Sequence, residues 1–191
     1  MANLKSSGGW LGGIFRKTWW FGLTAGLLVA VVAVLSSGYM VEVTNKDTFC
    51  VQCHAMVPFT TSWKKSVHGG NNPQGFAAQC VDCHLPHGNF VEYLTVKAIT
   101  GTSDVIQNIG FKPGEFDWEG NAELKRTHFT YDSACRSCHM ELVPPGIGSG
   151  GILAHRVYML GITDKRCASC HPRVGHKDMI EEADRFFAVK E

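Results

Sequence analysis

Eight cysteines constrain this 191-residue chain more than any other feature, because all of them belong to one repeated pentapeptide. The pattern Cys-x-x-Cys-His occurs four times: at Cys50, Cys53 and His54; at Cys80, Cys83 and His84; at Cys135, Cys138 and His139; and at Cys167, Cys170 and His171. Disulfide frameworks and zinc ribbons do not require a histidine directly after each cysteine pair. In c-type heme attachment two thiols bond the porphyrin and the adjacent histidine reaches the iron. The chain is therefore predicted to hold four covalently bound c-type hemes.

A long apolar run lies between Thr18 and Val43. It reaches the roughly 20 residues that a helix needs to cross the hydrocarbon layer. Arg16 and Lys17 precede it, with Lys5 further out, which predicts a cytoplasmic N-terminus. A cleaved signal peptide is the alternative, but the run exceeds the usual apolar length and no Ala-x-Ala site follows it. We expect a cytoplasmic segment over residues 1–17, a single-pass inner-membrane anchor over 18–43 and a periplasmic heme domain over 44–191.

The exported part is expected to fold mainly as short α-helices with much irregular loop. Glycine and proline cluster at residues 69–73 and 144–151, which predicts loops there. No stretch shows the alternating pattern typical of a strand. About 150 residues that wrap four hemes leave little room for an ordinary core, so the porphyrins are expected to supply much of the apolar interior.

The exported part also contains an internal repeat, in which motif and isolated histidine alternate. His68 and His87 are the isolated histidines of the first half; His155 and His176 are those of the second. Two duplicated diheme modules are predicted, over about residues 44–88 and 128–178. Electron-transfer hemes usually carry two strong axial ligands, so His68, His155 and His176 are candidate iron ligands. The pattern leaves open whether His87 or His128 binds iron.

The segment between the modules begins with a predicted helix. Asn89 suits its N-cap, with Glu92 three residues later as the reciprocal partner. Lys97 and Asp104 are seven residues apart, so they project within about 20° of each other on this helix. This pair is either part of a solvated helix face or the two sides of a notch that binds a polar ligand.

With these features in this order, the chain resembles the NapC/NirT/NrfH family of membrane-anchored quinol dehydrogenases. The resemblance rests on the anchor, the four motifs and several local patterns: Cys-x-x-Cys-His-x-Met at 50–56, Ser-Val-His-Gly at 66–69, Leu-Pro-His-Gly at 85–88, the segment from Lys97 to Asp104, and His176 after the last motif. It implies oxidation of menaquinol or ubiquinol from the membrane pool. Electrons would pass to a periplasmic terminal reductase, above all a nitrate or nitrite reductase, or to its electron-accepting cytochrome.

The resemblance also implies iron ligands. Met56 rather than His54 would bind the iron of the first heme. Three bis-histidine pairs would serve the other hemes: His84 with His176, His139 with His68, and His171 with His155. Taking His155 as the ligand of the fourth heme follows NapC-like members. The internal symmetry offers a rival pairing, in which His155 serves the first heme and His87 the fourth.

The quinol site of the family lies beside the first heme and is lined by the residues that match Lys97 and Asp104. In that reading Lys97 holds a quinol oxygen and Asp104 accepts a proton. One rival is an electron wire without a quinol site, and another is a heme-based terminal reductase, which four standard motifs disfavour. All 17 acidic residues lie from Glu42 onward beside 15 of the 18 basic ones, so no charge excess suggests nucleic acid.

Overall fold

The computed structural model describes residues 8–110 and 112–188, without the side chains of residues 8–17 and of Pro113. The side chains on which the predicted cytoplasmic N-terminus depends, those of Lys5, Arg16 and Lys17, therefore lie outside the described part of the chain. The chain divides into two compact units, and the boundary between them falls between Thr44 and Asn45.

Helices and loops make up the chain, and no strand occurs within 8–110 and 112–188. The helices are α1 (Gly8–Asn45), α2 (Asp47–Cys50), α3 (Val57–Lys65), α4 (Val81–His84), α5 (Phe90–Gly110), α6 (Trp118–Lys125), α7 (Asp132–Cys138), α8 (Ser149–Met159), α9 (Cys167–Cys170) and α10 (Met179–Ala188). Two 3₁₀ turns cover His54–Met56 and Pro113–Glu115, and an isolated β-bridge joins Gly69 to Ala77. The predicted mainly helical fold is confirmed.

The first unit is built on α1, whose 38 residues span about 57 Å along the helix axis. Its segment Thr18–Asn45 has a mean hydropathy of 2.0 and no buried residue, so it is long and apolar enough to cross a membrane. Hydroxyl groups inside this segment bond to the helix itself; Ser37 Oγ, for example, donates to the Ala33 carbonyl over 2.7 Å. That arrangement suits lipid, which offers no partner to a polar group.

The helix predicted after the second motif is α5. The side chain of Asn89 accepts a hydrogen bond of 2.7 Å from the Glu92 backbone N–H, so Asn89 caps the helix as expected. The loop predicted over 144–151 is wrong for its last three residues, because α8 begins at Ser149. A Cβ at Gly151 would lie 2.8 Å from Cγ1 of Ile147, so this glycine permits close packing at the helix start.

The small core of the second unit forms where α10 packs against α3. Lys65 Nζ lies 2.5 Å from Glu182 Oε1, and the buried Ser62 donates a hydrogen bond of 2.7 Å to the Lys177 carbonyl. The buried Phe187 stacks on Trp118 with ring centres 5.6 Å apart. Burial of one phenylalanine contributes about 1.5–3 kcal/mol, so these contacts fix the last helix firmly to the first part of this unit.

Candidate heme and quinol sites

Three of the four motif histidines face a second histidine. The ring centres are 6.0 Å apart for His68 and His139, 6.1 Å for His84 and His176, and 6.2 Å for His155 and His171. An imidazole nitrogen binds a metal at about 2 Å and its ring centre lies about 1 Å further out, so two rings on one iron stand about 6 Å apart. Each pair therefore fits one iron. These are the pairs that the resemblance implies; the geometry supports them, and the ligand roles stay predictions.

The second ring nitrogen of three of these histidines is held by a backbone carbonyl. Nδ1 lies 3.1 Å from the Val174 oxygen in His68, 2.7 Å from the Phe129 oxygen in His84, and 3.1 Å from the Phe59 oxygen in His176. A carbonyl can only accept, so Nδ1 carries the proton and Nε2 keeps the lone pair that an iron needs.

The charge state of the rings agrees with that role. Burial lowers the pKa of His84, and burial together with the nearby His84 lowers the pKa of His176 to about 4, so both rings are neutral at pH 7. Among the described side chains, Nδ1 of His155 is a buried polar atom without a hydrogen-bond partner. A metal ion bound between His155 and His171 would account for an imidazole that is buried at this atom. The histidines thus fit heme iron.

The eight cysteines form no disulfide with one another, and consecutive motifs bring them together. Cys50 lies beside Cys80, and this neighbour lowers the pKa of Cys50 to about 7. Cys135 lies beside Cys167 in the same way. Between these pairs α4 packs against α7, and the Tyr131 backbone N–H donates to the Cys83 carbonyl over 3.3 Å. The heme attachment points therefore follow one another in chain order.

The first motif differs from the others in its backbone. Its second cysteine, Cys53, is extended, with φ −80° and ψ 127°, whereas the second cysteine of each later motif lies in a helix. The following residue, His54, packs against Phe186 with ring centres 4.8 Å apart and the rings tilted by 43°, and it meets the edge of Phe187 at 6.4 Å. Rings only 4.8 Å apart leave no room for an iron between them. Met56 is 38% exposed.

A cluster of three polar residues lies beside the first motif. Oδ1 of Asn45 accepts hydrogen bonds from Lys97 Nζ and from the Tyr93 hydroxyl, both of 2.7 Å. Burial lowers the pKa of Lys97, while the interaction with Cys50 opposes that shift. We call Asn45, Tyr93 and Lys97 the Asn45 cluster. Sequence reasoning missed Asn45 and Tyr93; the place of Tyr93, four residues before Lys97 on one helix face, could have revealed the second of them.

Asp104 lies two turns further along α5 than Lys97, about 10 Å along the axis. Burial raises the pKa of the Asp104 carboxyl, and its interaction with His84 opposes the shift. The electrostatic interaction with His84 places Asp104 on the side of the second motif. Its predicted place on the open side of the first heme stays a prediction.

The two histidines left open by the pattern have other neighbours. Nε2 of His87 lies 3.4 Å from the Val81 carbonyl, and its ring meets the edge of Tyr93 at 6.1 Å. The ring of His128 meets that of Phe129 at 5.7 Å. Since neither ring is paired with a histidine in these contacts, the geometry favours His155 over His87 as the partner of His171.

Four attachment motifs, three histidine pairs at iron-binding distance and one apolar N-terminal helix define a membrane-anchored multiheme cytochrome c. Residues 15–181 match the NapC/NirT cytochrome c family, N-terminal region, and the chain belongs to this family. Family membership confirms the resemblance, the covalently bound heme and quinol-linked electron transfer in anaerobic respiration. It also supports a single-pass protein of the inner membrane.

Individual relatives agree with this assignment. The chain is 30% identical over 167 residues to the tetraheme c-type cytochrome CymA of Shewanella oneidensis, covering 81% of this chain and 88% of CymA. It is 29% identical over 150 residues to the cytochrome c-type protein NapC of Escherichia coli K12, covering 73% and 74%. Among solved structures, a cytochrome c nitrite reductase NrfHA complex bound to the inhibitor HQNO matches with a TM-score of 0.55 and 27% identity, covering 82% of this chain and 91% of the matched one.

Proposed function

We propose that this chain is a quinol dehydrogenase with four covalent hemes, a cytoplasmic N-terminus and a periplasmic heme domain. Its electron donor is menaquinol or ubiquinol, and its acceptor is a periplasmic terminal reductase or the electron-accepting cytochrome of such a reductase. The observation that carries the proposal is the Asn45 cluster, which places a partly buried lysine next to the first heme-attachment motif.

The Asn45 cluster is suited to hold a quinol oxygen. An ammonium group has three protons, so Lys97 can donate to Asn45 and to a quinol oxygen together. Partial burial strengthens such a charge-assisted hydrogen bond, because less water competes for it. Tyr93 shares the same acceptor and keeps the amide of Asn45 oriented.

Asp104 is suited to take a proton. Quinol oxidation releases two protons with its two electrons, so a base is needed near the site. Asp104 is exposed, but partial desolvation raises its pKa, which makes its carboxylate a stronger proton acceptor than an aspartate with the ordinary pKa. The carboxylate oxygen would receive the proton at the far end of the same helix face that carries Lys97.

The chain also sets the order of electron transfer. When bound, the hemes supply one-electron acceptors and donors. The proximity of Cys50 to Cys80, the packing of α4 on α7 and the proximity of Cys135 to Cys167 support a route from the first to the fourth attachment point. The solved NrfHA complex pairs a similar chain with a nitrite reductase, which supports a periplasmic reductase as acceptor.

Quinol-driven reduction of the purified protein, followed by heme absorbance, tests the proposal. Asp104→Asn should slow it about 10²–10⁴-fold, the usual value of a general base. Lys97→Gln should slow it about 10–100-fold, the value of a charged hydrogen bond. Lys112→Gln is the matched control, since Lys112 forms an exposed pair with Glu115 worth about 0–1 kcal/mol.

Two further measurements accompany that assay. Dithionite should reduce every variant fully, and a pyridine hemochrome assay should give four hemes per chain. Quinol rates that stay normal in both Lys97→Gln and Asp104→Asn would favour an electron wire without a quinol site. Turnover of nitrite or hydroxylamine by the isolated chain would instead favour a terminal reductase.

A further inference from the structure

We propose that Phe186 and Phe187, near the end of α10, hold His54 away from the iron of the first heme and so leave that axial position to Met56. The inference rests on the proposed function, in which Met56 is the ligand of the first heme. It assigns a positioning role to a helix that lies more than 120 residues beyond the motif on which it acts.

The first support is the contrast between the four motif histidines. His84, His139 and His171 each face a histidine ring at 6.0–6.2 Å, the separation that fits an iron. His54 faces Phe186 at 4.8 Å and Phe187 at 6.4 Å. His54 therefore has two phenylalanine rings as neighbours, whereas each of the other motif histidines has a second histidine.

The second support is the local backbone. The extended Cys53 interrupts the helical turn that the later motifs keep, so His54 leaves its motif in a different direction. The residues His54–Met56 then form a 3₁₀ turn. Such a turn has three residues per revolution, so side chains two positions apart point about 120° from each other. A turn that directs His54 toward α10 therefore directs Met56 elsewhere.

The third support is the anchoring of the two phenylalanines. Phe187 is buried and stacks on Trp118 with an interplanar angle of 10°. Glu182, one helical turn before Phe186, is held by Lys65 of α3 and by Arg185 at 3.1 Å. Because contacts on two sides fix the end of α10, Phe186 and Phe187 can hold the imidazole of His54 in place rather than move with it.

The proposed position of His54 affects the reduction potential of the first heme. A thioether ligand stabilises reduced iron more than an imidazole does, so methionine ligation raises the reduction potential of a heme. Holding His54 on α10 would keep the first heme at the higher potential, which favours its acceptance of electrons from quinol. Release of His54 would allow imidazole to replace the thioether and would lower that potential.

The test is Phe186→Ala in the full-length, heme-loaded protein. Phe186 is only partly buried, so this change is the milder of the two. Redox titration should show the potential of one heme shifted to more negative values. In electron paramagnetic resonance, Met56→Leu should change the spectrum of the otherwise wild-type protein. It should cause no further change in the Phe186→Ala background, because the thioether has already been displaced.

Two controls separate ligand exchange from loss of packing. Phe186→Tyr keeps the ring and should retain the wild-type potential. Phe116→Ala removes a different aromatic ring, which packs on Trp118 with ring centres 4.7 Å apart. This variant should leave the potential unchanged. If Phe186→Ala does not accumulate, Phe186→Leu replaces it, with the same shift expected to a smaller extent.

An unchanged potential in Phe186→Ala and Phe186→Leu, with Met56→Leu still altering their spectra, would overturn the positioning role while leaving Met56 as the ligand. An effect of Phe116→Ala equal to that of Phe186→Ala would also overturn it. If Met56→Leu has no effect on the wild-type spectrum, the Met56 assignment itself is wrong and the positioning role falls with it.

Discussion

Lys97 donates a hydrogen bond of 2.7 Å to Oδ1 of Asn45, although 52 positions separate the two residues in the chain. The same oxygen accepts from Tyr93, so one amide holds two side chains of α5. Loss of that amide should let the ammonium move away from the position in which it is proposed to meet a quinol oxygen. The lysine itself would remain, so the effect should be smaller than that of Lys97→Gln.

Asn45→Ala is accordingly expected to reduce quinol oxidation about 3–10-fold, the value of one hydrogen bond of roughly 0.5–1.5 kcal/mol. Steady-state kinetics should show the loss mainly in KM, because the cluster is proposed to bind quinol. Asn121→Ala, in helix α6 outside the Asn45 cluster, is the matched control and should have no effect. Equal rates for both variants would remove Asn45 from the site.

His155→Ala should convert one low-spin heme to a high-spin form and slow electron delivery to the acceptor. The reason is that His155 faces His171 at 6.2 Å with a buried Nδ1 that has no other partner. Quinol binding should persist, since the site is proposed near the first motif. His87→Ala is the control, because Nε2 of His87 lies at the Val81 carbonyl. Electron paramagnetic resonance that shows the reverse result would establish the symmetric pairing instead.

Gly69→Ala should destabilise the second unit by about 1–3 kcal/mol, the usual cost of overpacking. A Cβ at this position would overlap the backbone carbonyl oxygen of the buried Trp63, so α3 or the chain after it must shift. His68 directly precedes the glycine, so the low-spin signal that it is predicted to support should weaken as well. Chemical unfolding measures the first effect. Gly114→Ala, where a Cβ meets open space, should change neither property.

The contact between Lys65 and Glu182 should make stability depend on pH. The hydrogen bond from Lys65 lowers the pKa of Glu182 in the folded state. Its contribution is therefore fully present above the ordinary carboxyl pKa of about 4.3 and is lost as the pH falls through the lower folded-state value. Glu182→Gln should lower the melting temperature at pH 7 and match the wild type at strongly acidic pH. Glu115→Gln, in an exposed pair, should show little of this dependence.

Much of the fold and the site follows from residues that are neighbours in the chain. Each Cys-x-x-Cys-His motif identifies a heme within five residues, and the apolar segment identifies the membrane helix from its length and composition. The cap at Asn89 and the start of α5 are equally local. The start of α8 was missed because the glycines near Gly151 also suit a loop, and only their packing against Ile147 reveals a helix.

Contacts between residues that are distant in the chain could not be predicted from the sequence. Asparagine at position 45 carries no signal of its own, since its role comes from meeting Lys97 in space. The same holds for Phe186, whose neighbour His54 belongs to a motif that predicts an iron ligand. The first motif indicates two candidate iron ligands, His54 and Met56. In the inference above, the helix that packs beside them decides which one binds the iron.

The carbonyl bonds of the candidate ligands also bear on how the protein is made. His68 relies on Val174, 106 positions later, and His176 relies on Phe59, 117 positions earlier. The repeat suggests two modules that could form in turn during export. These reciprocal bonds mean that, in the proposed orientation, neither ring can be held by its carbonyl until the chain has been exported as far as residue 176. Contacts between residues so far apart in the chain form slowly. The second unit should therefore fold late and as a whole, rather than as two modules that fold one after the other.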